Sequence, residues 1–440
     1  VNAAQRLGPD HPLYARAMTT AASSSYLSDR PDQAVRFYRE ARSTAQDGHD
    51  RREALLGLLG TTIEWELGSR VDEEQILREL LETATPDPES TFRVGIAEMY
   101  FAVNRGPVGA GLERARQVEH LSAAVRNLRT VSSFFATHSS LLTLSGQYAA
   151  AREAARRALA SAQAARLAFA VPLIHIRLAA SEIGLANHAA GRQLVQLLRA
   201  AGSKRDEPYL RAQAALHEAR LLICQNMAYA AIQVIENHPT RDMSPQLSEE
   251  LAAYHAVALA CAGSRDEAEG LATSILQGAP SLEAHGLAMA AIAIAGLGTS
   301  NEQPRRENLL TFCSDTGNLD GALCALRGST VLWRSLEETP TSSEATRSMA
   351  EHLLRAAAPV EGRPSTGSYD EISGHLSRRE QDVLEQLERG FSNKQIAKEL
   401  FISEVTVKAH LRHIYAKIGV NSRTQAVLWL QANRGSGDLW

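Results

Sequence analysis

The sequence lacks most of the signatures of chemistry. In 440 residues there is no G-x-x-x-x-G-K-[ST], hence no P-loop phosphate cradle, and no G-x-S-x-G to seat a nucleophilic serine. None of the 14 histidines forms H-E-x-x-H. The four cysteines, Cys224, Cys261, Cys313 and Cys324, are scattered without C-x-x-C spacing. They read as buried thiols of a reducing compartment rather than as a zinc site or a disulfide framework. No metal, no cofactor and no enzymatic activity is expected, and the many acids on polar helix faces read as solvated charge. Long apolar runs are missing too. The most apolar stretch, Gly286 to Gly298, is about a dozen residues, too short to cross a bilayer. With no basic start followed by an apolar run at the N-terminus, the expectation is a cytoplasmic protein without a membrane partner. Finally, no β-branched alternating run is long enough for a sheet, and no strand-helix alternation suggests a phosphate-accepting receiver domain.

What is present is helix. Hydrophobic content of 44% and charged content of 22% are those of a folded chain, and the length is too great for one ordinary core. Residues 1–355 are Ala- and Leu-rich helical segments broken by short polar turns. A turn followed by a small residue and by packing residues four and seven further on recurs: Ala34, Tyr38 and Ala41; Ala151, Ala155 and Ala158; Ala268, Ala272 and Ile275; Ala322 and Leu326. Weaker copies surround Gly68, Gly106, Ala189 and Ala230. Ala34 to Ala151 is 117 residues, three steps of 39, and later steps are near 40 until a longer last one. Small residues at these points let paired helices approach closely. The pattern resembles tetratricopeptide-like repeats with a period longer than the usual ~34; the competing reading is a non-repeating helical bundle. A repeat array presents an elongated concave surface for a small ligand or a protein. Tyr14, Trp65, Tyr100 and Tyr229 are aromatics that would line it or pack between repeats. Residues 356–374, rich in Pro, Gly and Ser, read as a linker.

Residues 375–437 have a different grammar. Capping boxes, in which a Ser accepts from the backbone three residues on and a Glu or Gln there reaches back, stand at Ser377–Glu380, Ser392–Gln395 and Ser422–Gln425. Ser403, with Thr406 three residues on, supplies a cap without the box. Gly390 and Gly419 stand where left-handed C-caps are needed. Four short helices follow from these signals. In the third, Val407, Leu411, Ile414 and Ile418 form one apolar stripe, and the opposite face carries Val405, Ala409, Arg412, His413 and Ala416, flanked by Thr406 and Lys408.

Small residues with one or two long cations are what the B-DNA major groove accepts: cations for guanine O6 and N7, apolar groups for the thymine methyl. Lys408 and Arg412 are the expected base-edge donors, with Ala409 and Val405 against methyl groups. The expected phosphate contacts are Ser392, Asn393, Lys394, Ser403, Thr406, His410, His413, Lys417 and Arg423, helped at Ser392 and Ser403 by helix-start amides. From Ser392 to Arg434 seven Lys and Arg face only Glu399 and Glu404, although the whole chain carries −4.

At these residues the segment resembles the C-terminal DNA-binding domain of the LuxR/FixJ type of bacterial transcription regulator, through LSRRE, GFSNKQIAKEL, ISEVTVKAHL and KIGVNSRTQA. The resemblance implies that Lys408, Ala409 and Arg412 face bases. It also implies that a helix from Ser422 to about Asn433, with Ala426, Val427, Trp429 and Leu430, is a dimerisation surface. Arg412 and Val405 depart from the family pattern, which leaves the preferred base sequence open. An array followed by such a head is similar to the rear half of the large ATP-binding LuxR-type regulators, relatives of the maltose-system activator, without their NTPase module.

The expectation is therefore an all-α chain: a repeat domain sensing a ligand or partner, then a four-helix head. It would bind double-stranded DNA as a homodimer, with RNA polymerase as a further partner, as a nucleoid-associated transcription regulator of activator type. Two alternatives stay open, a repeat scaffold tethered to a promoter by its head and a fragment of a longer ATP-dependent regulator.

Overall fold

The computed structural model describes residues 6–27, 30–238, 243–278, 280–338, 341–358 and 378–418, together with 423, 426, 427 and 430. Among them are 22 α-helices, one short 3-10 helix and no strand. The linker segment expected at 356–374 lies outside the described residues from 359 onward.

Helix beginnings follow local chemistry. Pro31, Pro88, Pro208 and Pro245 are first helical residues, where the missing N–H costs nothing. Asp47, Ser69, Asp87, Ser281 and Ser343 cap their helices through the side chain. The helices that follow the short turns begin at Pro31, Arg70, Val108, Tyr148, His188, Ala228 and Arg265, in steps of 37 to 40 residues. This spacing is consistent with the recurrence read from the sequence, and the helix of the last copy, Asp320–Gly328, begins after a longer step. Every marker residue of the four strong copies is buried: Ala34, Tyr38, Ala41, Ala151, Ala155, Ala158, Ala268, Ala272, Ile275, Ala322 and Leu326.

Their smallness has a visible use. Leu128–Leu144 and Tyr148–Ala164 approach so closely that Ser139 Oγ donates to the Ala151 carbonyl at 2.8 Å, and Ser132 Oγ to the Ala158 carbonyl at 3.0 Å. In an Ala-lined seam of this kind, a buried hydroxyl finds a carbonyl of the facing helix.

The chain divides into two compact units, Val1–Arg177 with Thr240–Glu249, and Leu178–Pro239 with Glu250–Trp440. In the first, Tyr14, Phe37, Tyr38, Leu55, Leu58, Leu59, Ile63 and Leu80 form one apolar cluster. Arg105 closes a bidentate pair on Glu73 at 2.7 and 2.8 Å, with both side chains at least nine-tenths buried. In the second unit Arg220 meets Asp320 at 2.6 Å in the interior, the two side chains 2% and 1% exposed. Gly321, next in sequence, allows Asp320–Gly328 to lie against Leu282–Ala295; a Cβ there would stand 2.8 Å from the Gly286 carbonyl carbon and the Leu287 nitrogen.

Cys224, Cys313 and Cys324 are buried and Cys261 is half-buried. Burial pushes the thiols of Cys261 and Cys313 up to about 12. No described group of His, Cys, Asp and Glu is suited to hold a metal ion, and no described helix is long and apolar enough to cross a membrane.

Candidate nucleic-acid interface

Three helices, Arg378–Glu388, Asn393–Glu399 and Glu404–Ile418, converge on a small core of their own. Val383, Leu384 and Leu387 come from the first, Ile396 and Ala397 from the second, and Val407, Leu411 and Ile414 from the third, with Ala426 and Leu430 added. The joints are specified chemically. Gly390 takes φ +80°, and the Phe391 amide donates back to the Gln386 carbonyl at 3.2 Å, the wrapped helix end that a residue without Cβ makes cheaply.

Ser392 completes its capping box: its amide and hydroxyl both donate to Gln395 Oε1 at 2.8 Å, and its Oγ accepts from the Gln395 amide at 3.4 Å. The Ser392 amide is thereby already occupied. Ser403 Oγ accepts from the Thr406 amide at 3.0 Å, and the two hydroxyls pair at 2.8 Å. A Thr three residues on thus serves the cap with its own hydroxyl. The Ser377 and Ser422 boxes and Gly419 lie outside the described residues.

The turn between the second and third helices repeats the wrapped geometry with a different residue. Phe401 stands at φ +53°, the Ile402 amide donates to the Ala397 carbonyl at 3.0 Å, and the Phe401 ring is 94% exposed. This short turn sets the third helix across the second, and burial of Val407, Leu411 and Ile414 fixes its rotation. Positions 405, 409, 412 and 416 then lie opposite the buried stripe by helical register.

Lys408 is exposed on the flank of that face and forms no ion pair among the described residues. Thr406 and His410 are half-buried on the other flank, and Ser392, Lys394 and Ser403 are exposed, with Asn393 half-buried. The side chains of Val405, Ala409, Arg412, His413 and Lys417 are outside the described residues, although the backbone is helical at each.

Arg423 is placed inward. Its guanidinium donates to the Phe391 carbonyl at 2.6 Å and to the Leu387 carbonyl at 3.4 Å, tying the last described segment to the end of the first helix. Ala426 and Leu430 are buried in the head's own core, Val427 is half-buried and Trp429 lies outside the described residues. The local sequence gave no sign of the Arg423 anchor, whose acceptors lie more than thirty residues earlier.

Comparison with known proteins agrees with this geometry. Residues 374–430 match the GerE family, described as "Bacterial regulatory proteins, luxR family". The probable csgAB operon transcriptional regulatory protein of Salmonella typhimurium is 51% identical over 61 residues, 14% of this chain and 28% of that protein. The DNA-binding transcriptional activator DevR/DosR of Mycobacterium tuberculosis is 32% identical over 136 residues, 30% of this chain and 62% of its own length. A putative HTH-type transcriptional regulator of Mycobacterium bovis, Mb0914c, is 52% identical over 54 residues, 12% of this chain and 6% of that protein. The chain therefore spans between 6% and 62% of the length of these three relatives. The C-terminal segment of this chain is a helix-turn-helix domain of the luxR family of bacterial regulatory proteins.

Proposed function

We propose that the chain is a cytoplasmic, sequence-specific regulator of transcription, of activator type, that reads double-stranded DNA through the helix Glu404–Ile418 as a homodimer. In this reading Lys408 and Arg412 donate to base edges, with Val405 and Ala409 against thymine methyl groups. Asn393, Lys394, Ser403, Thr406, His410, His413 and Lys417 hold phosphates, while Ser392, engaged in its capping box, and Arg423, turned onto the Leu387 and Phe391 carbonyls, are left out of this clamp. Dimerisation would use the segment that carries Val427 and Trp429. The helical residues 1–355 form the sensing domain, 356–374 the linker and 375–437 the head.

One observation supports this above the others: Lys408 stays exposed and, among the described residues, without an acidic partner, while Val407, beside it, is fully buried in the head. A helix anchored along one stripe with a free cation beside the opposite face has the form the major groove accepts.

The test is footprinting of the full chain on a selected operator. Lys408→Ala or Arg412→Ala is expected to lose ~1–3 kcal/mol at the bases contacted and little elsewhere. Lys417→Ala is expected to weaken all sequences and to lower the slope of log affinity against log salt by about 0.9. An unchanged base preference for both Lys408→Ala and Arg412→Ala would overturn the assignment. Equal DNA affinity with and without effector would favour a repeat scaffold that uses its head only as a tether.

A further inference from the structure

Within the first unit, Gly48–Trp65, Pro88–Arg105, Leu128–Leu144 and residues 170–177 surround a cavity of about 470 Å³. The volume falls in the range of small-molecule sites, ~300–1,000 Å³. Its walls are chiefly apolar, with Leu56, Leu59, Ile96 and Ile174 among them. Phe169 and Leu173 also line it, and they stay 50% and 42% exposed.

Two arginines, Arg129 and Arg177, line the same cavity, and no Asp, Glu or Lys does. Arg129 lies over the Phe169 ring, 5.4 Å from its centroid. Neither arginine makes a side-chain hydrogen bond or an ion pair among the described residues. Several other arginines of the unit are answered by acids, Arg93 by Glu53, Arg105 by Glu73 and Arg114 by Glu98. At the cavity the chain supplies cations and no counter-charge.

We infer that this cavity binds an amphipathic carboxylic acid, its apolar body among Leu56, Leu59, Ile96 and Ile174 and its carboxylate held by Arg129 and Arg177. A planar guanidinium matches a carboxylate with two parallel hydrogen bonds. A guanidinium pairs with phosphate in the same way, and the chiefly apolar wall is what favours a singly charged head over a dianion. The exposed ring of Phe169 covers the body of the bound acid, and stacking on Arg129 holds that ring at the wall. The inference rests on the proposal that the helical domain senses an effector, and names the chemistry of that effector.

Decanoate and its neutral twin decanamide, titrated calorimetrically into the full chain without DNA, test it. The expected result is one decanoate per chain, bound at least about tenfold tighter than the amide, because charge-assisted hydrogen bonds are lost in the amide. Arg129→Gln with Arg177→Gln should bring decanoate down to the level of decanamide. Ser133→Trp, at an exposed position of the same wall, should abolish binding of both while circular dichroism stays native. Equal binding of acid and amide, no decanoate binding, or decanoate binding that survives Ser133→Trp would each overturn the inference. Gel shifts with and without decanoate separate the two levels. If decanoate binds as expected yet leaves DNA affinity unchanged, the sensing proposal fails and the site stands. If DNA is bound and decanoate is not, only the site fails.

Discussion

Phe401 carries a conformation that glycine usually takes. At φ +53° it closes the second helix of the head, and its ring, 94% exposed, gains almost nothing from packing. The left-handed region costs an ordinary residue about 1–2 kcal/mol, and glycine's greater freedom in the unfolded chain returns about 0.5–1 of that. Phe401→Gly should therefore leave stability unchanged or raise it by up to ~1 kcal/mol in denaturant unfolding, whereas a β-branched Val at the same place should lower it. A loss of more than ~1 kcal/mol for the glycine variant would mean that the ring has a partner in the folded protein. Gly390, at φ +80° one joint earlier, shows the usual solution.

At the scale of elements, close approach carries the second unit's packing. A Cβ on Gly321 would lie 2.8 Å from backbone atoms of the facing helix, and backbone cannot swing aside as a side-chain tip can. Gly321→Ala should cost roughly 1–3 kcal/mol despite alanine's better helix propensity. Gly270→Ala, on a helix position where a Cβ meets nothing within 4 Å, should instead gain a few tenths up to ~1 kcal/mol. Paired thermal melts decide, and an equal shift for the two would remove the steric account. The same contrast explains what could be read in advance. Features set by near neighbours were legible: the Ser392 box, the Gly390 cap, the stripe of Val407, Leu411 and Ile414, and the buried marker residues of the four strong copies, whereas Ala189 and Ala230 of the weaker copies are exposed and half-buried. Features that join distant residues left no spacing to find. Arg129 and Arg177 share a cavity wall from two different helices, Arg423 finds its acceptors at Leu387 and Phe391, and Asp320 is a hundred residues from Arg220. Side chains 405, 409 and 412 could be placed on a face by register alone.

For the whole molecule, histidine burial sets the response to acid. Burial holds the imidazoles of His138, His175, His255 and His285 below their ordinary value near 6.5. Arg157 adds to this at His138, while Glu119 there, and Glu236 and Glu267 at His255, work against it. In the unfolded chain these rings take up protons first as pH falls, so the stability they contribute is present above about pH 6.5 and lost below it. His238, lowered by burial and by Arg211, acts with these four, and Glu64, raised by burial, acts in the opposite sense, as one group against five. Unfolding free energy should therefore decline between pH 7 and pH 5, and replacing His285 with Gln should flatten that decline; a profile flat over this interval would refute the account.

The Arg220–Asp320 contact has a bearing on the history of the sequence. Removing either member strands its opposite in a dry interior, a loss of roughly 3–5 kcal/mol, whereas an apolar couple of similar volume in both places is close to neutral or better. Descent can leave this arrangement only by a paired exchange or through an intermediate too unstable to persist. Among related chains, 220 and 320 should accordingly change together or stay as they are.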